Sequence, residues 1–451
     1  MTSQTTRRSF LKTSAAVSAA TFVPAGHVLG NEGTSTQTKE KLNMAIIGAG
    51  GRGRANMGGV SRENIYALCD TNGAVLEKAK AAHPNAKMTT DWRDLVDDPK
   101  VDAVVISTAD HHHALAAIAA MRNNKHVYCE KPLAHTVHEA RIMQDEYIKR
   151  RDKIATQMGT QIHAGDNFRR TVELIQAGAI GKVREAHVWC SRSIRGVDVA
   201  ELPAEETPAN FDWDVWLGPA AERPYNAGYW KGGNLNWNRR WEFGNGVLGD
   251  MGSHLIDLAF WALDLKRPLT VEAQGPEPDD IACPPWQEIV WEHAARASNE
   301  NLNAPVKVFW YHGPEGMQRR SDKLQPLVGD DTVINKWGIG VGFVGDNGTL
   351  VSDYGKRVLS PSEKFKDYPA PKQTIAKSLG HHNEWIAAAK GGQESLCNFD
   401  YSGTLIEHNL LGNVAFRVGK KLEWDANEMQ ATNAPEAAAY LTKTYRDGWD
   451  V

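Results

Sequence analysis

The segment 42–53, "LNMAIIGAGGRG", decides the fold. Its apolar residues suffice for one buried strand, and the glycine-rich turn that follows fits the pattern GxGxxG and opens a helical pattern. Glycines here permit a tight turn and let backbone amides approach a pyrophosphate at a helix N-terminus. We therefore expect a bound dinucleotide, held at this turn by Gly48, Gly50, Gly51, Arg52 and Gly53.

The pattern after this turn predicts an α/β fold with a doubly wound parallel sheet over residues 42–160. Strands are expected at 64–70, 101–108, 126–131 and 153–159, with helices at 112–123 and 136–150 between them. Residues 161–451 predict an α+β domain with a large open mixed or antiparallel sheet. Its candidate strands are 182–193, 305–313 and 348–355, and its last helices are 382–390, 404–419 and 434–449.

Asp70 ends the second predicted strand, 22 positions after Gly48. A carboxylate there can accept hydrogen bonds from the adenosine ribose, or it can simply be a turn residue. No arginine follows to neutralise a 2'-phosphate, so NAD is favoured over NADP.

Lys131 follows the fourth strand and precedes Pro132, which restricts the local turn. Ligands of doubly wound sheets collect at the carboxyl ends of the strands, so Lys131 is expected in the cofactor cleft rather than in solvent. The cofactor contacts predicted at this edge come from Ser107, Thr108, His111, His113, Glu130, Lys131 and Gln161. A metal on the histidine run 111–113 is not favoured, because adjacent side chains diverge.

Asp250 and His254 lie four positions apart where a glycine-rich loop becomes an apolar helix, so they are expected on one face. This pair suits general base catalysis, with the carboxylate orienting the imidazole. The alternative is that Asp250 caps the helix and His254 is a buried histidine with satisfied hydrogen bonds. We interpret Asp257 as supporting or structural and expect no metal site.

Fifteen tryptophans are a high number, and many lie within 213–241. Aromatic rings beside Asn and Arg suit sugar binding, although a core or a subunit interface uses the same residues. The candidate substrate residues are His163, Trp237, Arg239 and Trp241.

The first thirty residues combine an arginine pair with a short, weakly apolar run, which predicts a twin-arginine export signal at 1–30 and a linker at 31–41. The run is too short and polar for a membrane span, so we expect an exported, periplasmic protein. A net charge of -4 disfavours nucleic-acid binding, and the five cysteines form no CxxC pair.

Four segments carry a family resemblance: "AIIGAGGRG" (45–53), "STADHHHALAAIAAMRNNKHVYCEKPL" (107–133), "GVLGDMGSHLIDLAFWAL" (246–263) and "LLGNVAFRVGKKLEWDA" (410–426). Together with Cys69-Asp70 they make the chain similar to the glucose-fructose oxidoreductase, inositol dehydrogenase and MocA (Gfo/Idh/MocA) family, in its exported bacterial branch. One departure is Ala109, where the family usually has proline.

The resemblance implies a Rossmann domain and a second domain whose open sheet mediates a homodimer or homotetramer. We expect tightly bound NAD, because free NAD is scarce outside the cytoplasm. The resemblance also implies that Lys131, Asp250 and His254 are catalytic and that the Lys131-Pro132 bond is cis. The expected activity is NAD-dependent oxidation or reduction of a sugar, polyol or glycoside at a secondary hydroxyl or keto group. Redox-neutral glycoside cleavage through a 3-keto intermediate is the alternative, and a non-catalytic sugar-binding protein is a further one.

Overall fold

The structure is a computed structural model that describes residues 40–194, 196–197, 201–329 and 332–450, with Leu235 described by its backbone only. The predicted export signal and all but the last two residues of the predicted linker lie outside this part of the chain.

Six parallel strands form the first sheet, in the order β3-β2-β1-β4-β5-β6. They are β1 (Asn43–Ile47), β2 (Asn64–Cys69), β3 (Lys87–Thr89), β4 (Ala103–Ile106), β5 (His126–Cys129) and β6 (Thr156–Met158). Alternate residues of β1 enter two different cores: Ala45 and Ile47 pack on one side, and Met44 and Ile46 on the other. A strand buried on both faces needs an unbroken apolar run, which is why "MAII" predicted it. The predicted doubly wound parallel sheet is confirmed.

Strand β3 was not predicted. Its residues Lys87-Met-Thr89 are exposed or half-buried at the sheet edge, so they carry neither an apolar run nor a clear alternation.

The register of this sheet brings the strand ends together. Ile47 pairs with both Cys69 and Ile106, and Ile106 pairs with Cys129. The residues that follow these four strands therefore share one edge of the sheet.

Nine strands form the second sheet, in the order β13-β12-β11-β7-β10-β9-β8-β14-β15. They are β7 (Val183–Cys190), β8 (Thr270–Gln274), β9 (Gln287–His293), β10 (Val306–His312), β11 (Ile339–Gly345), β12 (Gly348–Ser352), β13 (Arg357–Ser360), β14 (Leu422–Asp425) and β15 (Gln430–Ala431). Strands β7 and β10 pair in parallel, and the other described pairs are antiparallel. The predicted mixed sheet is confirmed.

The helices of the described residues surround both sheets. They are α1 (Gly51–Gly59), α2 (Gly73–Ala82), α3 (Arg93–Val96), α4 (Asp110–Arg122), α5 (Val137–Ile148), α6 (Asp166–Gln176), α7 (Trp213–Leu217), α8 (Asn234–Trp237), α9 (Ser253–Ala262), α10 (Gly313–Val328), α11 (Ser362–Phe365), α12 (His381–Ala389), α13 (Phe399–Val418) and α14 (Ala438–Leu441). Helix α13 is almost wholly buried and packs against both α5 and β8, so it joins the two sheets. The predicted domain boundary between 160 and 161 stays a prediction, because Lys41–Val451 form one compact unit.

Helix α10 covers part of one face of the second sheet. Leu324 and Val328 of the helix share a core with Phe309 and Tyr311 of β10.

The predicted oligomer stays a prediction.

The predicted helix 434–449 is wrong in its second half. A short 3-10 turn (Pro435–Ala437) leads into α14, and no helix follows Leu441 in the described residues. Polar residues beyond it bind other parts of the chain instead: Lys443 pairs with Glu139 at 2.7 Å, and Arg446 donates to the Gly218 carbonyl at 2.9 Å. These tertiary contacts replace the regular helix that the alanine-rich pattern predicts.

Among the described residues, no helix combines the length and the apolar character that crossing a membrane requires.

Candidate functional site

A cavity of about 900 Å³ opens at the carboxyl edge of the parallel sheet. Its wall includes the glycine turn, the ends of β1, β2, β4 and β5, part of the segment 211–238, and both Asp250 and His254. The strand register thus collects most of the predicted site residues in one place.

The glycine turn is shaped for close approach of a ligand. Gly48 has φ +82°, and a Cβ there would lie 2.6 Å from the Ser107 carbonyl oxygen. A Cβ on Gly53 would lie 1.7 Å from the Gly48 carbonyl oxygen, so neither position accepts a larger residue. Helix α1 starts at Gly51 without an acidic residue in its first turn. The first turn of α1 therefore carries no negative charge of its own that would repel a pyrophosphate.

Asp70 lines the same cavity and fastens the glycine turn. Its Oδ2 accepts from the Ala49 and Gly50 amides at 3.0 and 3.2 Å, and its Oδ1 accepts from the Asn72 amide at 3.0 Å. Burial raises the pKa of Asp70, while these three amides oppose that shift. The position of Asp70 in the cavity wall agrees with its predicted place beside the adenosine ribose of NAD.

The environment of Asp70 is acidic. Burial raises the pKa of the neighbouring Cys69 thiol, and four carboxylates raise it further: Asp70, Asp91, Asp94 and Asp212. Their shared negative potential disfavours a 2'-phosphate more strongly than Asp70 alone would, which agrees with NAD as the cofactor.

Glu130 organises the middle of the site. Its Oε1 accepts from Arg52 Nε at 3.0 Å, from Asn56 Nδ2 at 2.9 Å and from Gln161 Nε2 at 3.3 Å. Glu130, Arg52 and Gln161, which are three of the predicted cofactor contacts, all line the cavity, and their contact with a cofactor stays a prediction. Asn56 was not predicted, because a single asparagine inside a helix gives no sequence signal.

The histidine run is placed differently from the prediction. His113 lies between two carbonyl oxygens, with Nδ1 2.7 Å from Pro132 O and Nε2 3.2 Å from Thr108 O. His111 is buried against Trp216 O and Phe243 O. Neither lines the cavity, whereas His112 does. His113 thus joins the two loops that carry Thr108 and Pro132. His111 and His113, which were predicted to contact the cofactor, do not belong to the cavity wall.

Lys131, Asp250 and Arg192 form an ion-pair cluster at the inner end of the cavity. Lys131 Nζ donates to Asp250 Oδ1, and Arg192 Nη1 donates to Oδ2. Burial alone would raise the pKa of Asp250, but these two cations hold it below its usual range. The Lys131-Pro132 bond is cis, as expected. Arg192 was missed because it lies in an irregular segment after β7 without a motif.

His254 is oriented by Thr160 rather than by Asp250. The fully buried Thr160 hydroxyl donates to Ser253 O at 3.2 Å, and its oxygen lies 3.4 Å from His254 Nδ1. Because that hydroxyl proton points to Ser253 O, the contact favours the tautomer with the proton on Nδ1 and the lone pair on Nε2. Burial, with the charge of Lys131 as the second cause, lowers the pKa of His254 to about 3, although Asp250 opposes the shift. The imidazole is therefore neutral near pH 7 and able to accept a proton.

The expected contact between Asp250 and His254 is replaced because the backbone is not a regular α-helix there. Residues Leu248–Gly252 form a π-helical turn, and α9 begins only at Ser253. In such a turn, residues four apart do not align as they do in an α-helix.

Asp110, at the start of α4, is a further carboxyl group of the cavity wall. It is 1% exposed, and Asn245 Nδ2 donates to it at 3.4 Å. Burial raises its pKa well above the usual range, and the charge of Asp250 adds to this, although Lys131 opposes it. A carboxyl group whose protonated form is favoured by burial therefore lies beside the ion-pair cluster.

Of the four candidate substrate residues, only Trp237 lines the cavity. Trp241 is buried against Phe416 and donates its indole N–H to Asp279 O at 2.9 Å, so it is a core residue. Arg239 donates to the Gly196 carbonyl and also stands outside the cavity wall.

His163 lies in a buried cluster behind the cavity. Its Nδ1 is 3.0 Å from both carboxylate oxygens of Asp257, which also accepts from Tyr401 at 2.7 Å. Cys397 completes a set whose potential ligand atoms lie within 4.8 Å of one another. Because Asp257 already binds two partners, the cluster works as a hydrogen-bond network that supports α9, and His163 is not positioned for substrate.

Models of one family match both halves of the chain. "Oxidoreductase family, NAD-binding Rossmann fold" matches residues 42–158, and "Oxidoreductase family, C-terminal alpha/beta domain" matches 187–316. A twin-arginine translocation signal sequence matches residues 4–24.

Among curated relatives, levoglucosan dehydrogenase of Pseudarthrobacter phenanthrenivorans is 27% identical over 237 residues, 49% of this chain and 50% of that protein. A glycosyl hydrolase family 109 protein of Solibacter usitatus is 30% identical over 43% of this chain and 48% of that protein. Inositol 2-dehydrogenase of Salmonella paratyphi B is 30% identical over 37% and 49%. The chain thus spans about half the length of the curated relatives it matches.

Solved structures confirm the fold. WlbA dehydrogenase from Bordetella pertussis, in complex with NADH and UDP-GlcNAcA, aligns with a TM-score of 0.58 at 15% identity, over 86% of this chain and 99% of that one. Levoglucosan dehydrogenase in complex with NADH and L-sorbose aligns with a TM-score of 0.52 at 19% identity, over 85% and 99%.

Proposed function

The chain belongs to the Gfo/Idh/MocA oxidoreductase family, and on that premise we propose that it oxidises or reduces a secondary hydroxyl or keto group of a sugar, polyol or glycoside with NAD. The observation that carries the proposal is that Lys131 and His254 line the same cavity as the glycine turn and Asp70. A dinucleotide along the strand ends has its adenosine at Asp70 and its nicotinamide toward Lys131 and His254.

In the proposed oxidation, NAD supplies the hydride acceptor. Nε2 of His254 takes the proton of the substrate hydroxyl, since its lone pair is free. Lys131 donates a hydrogen bond to the same oxygen and stabilises its developing negative charge. Asp250 holds the ammonium in place, and Arg192 in turn binds the other oxygen of Asp250.

The substrate class is inferred from three supports. Trp237 places an aromatic ring at the cavity wall, which suits a sugar face. Two of the relatives named above are a levoglucosan and an inositol dehydrogenase. The cavity offers both donors and acceptors for hydroxyl groups, at Lys131 and Asp110.

The place of action that we propose is the periplasm, after export of the folded, NAD-loaded protein. The match of residues 4–24 to a twin-arginine signal supports export, because that pathway carries folded proteins. Assembly into a homodimer or homotetramer is part of the same proposal.

Redox-neutral glycoside cleavage is a second candidate, favoured by Asp110. Elimination from a 3-keto sugar needs an acid that protonates the departing oxygen, and Asp110, whose pKa burial raises, lines the cavity. One relative carries the name glycosyl hydrolase family 109 protein. Release of an aglycone without accumulated NADH would distinguish this reaction from net oxidation.

The proposal is tested with Lys131→Met and His254→Ala. Each variant should lose turnover by at least about a hundredfold while still retaining NAD, because neither side chain belongs to the adenosine half of the site. Trp261 stacks on His163 of the buried cluster, with ring centroids 3.9 Å apart. Trp261→Phe is therefore a control, and its turnover should remain within a few-fold of the native value. Full activity in either Lys131→Met or His254→Ala would overturn the assignment.

A further inference from the structure

The tryptophan-rich segment reaches the adenosine end of the cavity rather than only its substrate end. Phe211, Val215, Trp216 and Trp230 line the cavity together with Asp70 and its neighbours. Phe211 and Trp230 stack on each other, with ring centroids 4.6 Å apart and planes 26° apart. Two parallel aromatic faces therefore stand beside the position where a ribose would bind Asp70.

Backbone contacts fix this segment to the loop after β2. The Gly73 amide donates to Asn210 O at 2.8 Å, and the Asp212 amide donates to Thr71 O at 2.8 Å. Thr90 adds a hydrogen bond to the Asp212 carboxylate at 3.0 Å. The segment is thus docked on the nucleotide-binding sheet on both sides of Phe211.

The C-terminal segment holds the same region from outside. Arg446 Nε donates to Gly218 O at 2.9 Å, and its Nη2 donates to Asp214 O at 2.8 Å. Trp449 packs edge-on against Trp92 at 6.2 Å and lies under the Arg93 guanidinium at 4.1 Å. Trp92 itself lines the cavity. Residues 446–449 therefore tie helix α7 to the loop before α3.

We propose that residues 208–230, which we call the cover, complete the adenine-binding half of the dinucleotide site, and that residues 446–449, the latch, hold the cover closed. Phe211 and Trp230 supply the purine-facing wall from outside the Rossmann sheet. Release of the cofactor then requires the cover to separate from Thr71 and Gly73. This inference rests on the proposed NAD site. Its new element is that the cover retains the cofactor between turnovers.

The test is the rate at which protein purified with its NAD loses that NAD after dilution, measured by quantifying the dinucleotide that stays with the protein. Phe211→Ala and Arg446→Met should each release NAD at least about tenfold faster than the native chain, from loss of one stacking or latch contact. Arg184→Met, which removes an exposed pair with Asp346 far from the cavity, is the matched control and should release NAD at the native rate.

A second probe identifies the adenine end. Phe211→Ala should weaken binding of NAD but leave binding of nicotinamide mononucleotide, which lacks adenosine, unchanged. Equal weakening of both probes, or native release rates in both Phe211→Ala and Arg446→Met, would overturn the cover. A native chain that binds neither probe would instead overturn the proposed function, so the two failures are distinguishable. If Arg446→Met fails to fold, Phe211→Ala still decides the question.

Discussion

The Lys131 ammonium donates to Oδ1 of Asp250, although the two residues lie 119 positions apart in the sequence. This pair joins the first sheet to the π-helical turn that precedes α9. Arg192 donates to the second oxygen of the same carboxylate, so Asp250 is bound on both oxygens and is not the base. In the proposed oxidation, proton transfer therefore falls to His254, and Asp250 positions the lysine.

Replacing Asp250 by Asn should destabilise the protein as well as slow it. Lys131 and Arg192 would then face each other without their shared carboxylate, at an expected cost of about 3 kcal/mol in the free energy of unfolding. Denaturant unfolding and steady-state kinetics on the same preparation check this. Arg192→Met in the Asp250→Asn background should recover part of the stability, and a double variant that is additive with the singles would contradict the shared cluster.

Replacing Thr160 by Val should change the tautomer of His254 rather than remove the base. Without the hydroxyl, Nδ1 loses its acceptor, and the proton can move to Nε2, where it blocks proton uptake. Turnover should fall about tenfold and its pH profile should shift, whereas Thr160→Ser should keep native behaviour. Nitrogen NMR of the His254 ring reports the tautomer directly. An unchanged spectrum and pH profile in Thr160→Val would exclude this positioning role.

Replacing Asp70 by Asn should weaken NAD binding without creating preference for NADP. The carboxylate fastens the turn by three amide contacts, and losing its charge should cost about tenfold to a hundredfold in NAD affinity. Asp91, Asp94 and Asp212 would still repel a 2'-phosphate. Titration of apoprotein with both dinucleotides checks this, and tight NADP binding by the variant would contradict the acidic environment.

Acid should destabilise the fold through buried histidines. Burial lowers the pKa values of His112, His312 and His408 to about 4 and those of His135 and His254 to about 3. Unfolded histidine titrates near about 6.5, so at pH 5 the unfolded chain binds about five more protons at these sites than the folded chain. The free energy of unfolding should therefore rise as the pH increases from about 4 to 6.5. As the pH falls through the same range, this contribution to stability should disappear.

The measurement is the slope of unfolding free energy against pH in this window. His408→Asn should reduce the slope by about one proton, because His408 then no longer contributes. A slope that His408→Asn leaves unchanged would contradict the buried neutral state of that ring.

The sequence predicted the cofactor edge well because its signals are local. An apolar run, the glycines that follow and the residues at strand ends each report the conformation of a few neighbouring positions. Lys131 and Asp70 could be placed for this reason, since parallel strands align their carboxyl ends.

The partners within the site could not be predicted, since they depend on distant segments. Arg192 approaches Asp250 from the loop after β7, and Thr160 reaches His254 from the end of β6. The spacing of four residues suggested a contact between Asp250 and His254, but the π-helical turn changes how their side chains align. Residues 442–449 were predicted to be helical because an alanine-rich run precedes them. The tertiary contacts of Lys443 and Arg446, which replace the helix, have no signal in the local sequence.

The central claim is tested most directly with two separate NAD-loaded samples, the native protein and the His254→Ala variant. Each sample is mixed with a panel of sugars, polyols and glycosides, and the reduced-nicotinamide absorbance and the products are followed together. The account predicts reduction with a keto sugar in the native protein, and none in the variant, although the variant still holds NAD. Transient reduction with release of an aglycone would change the reaction class to redox-neutral cleavage. Reduction that is equally fast in His254→Ala would contradict the account.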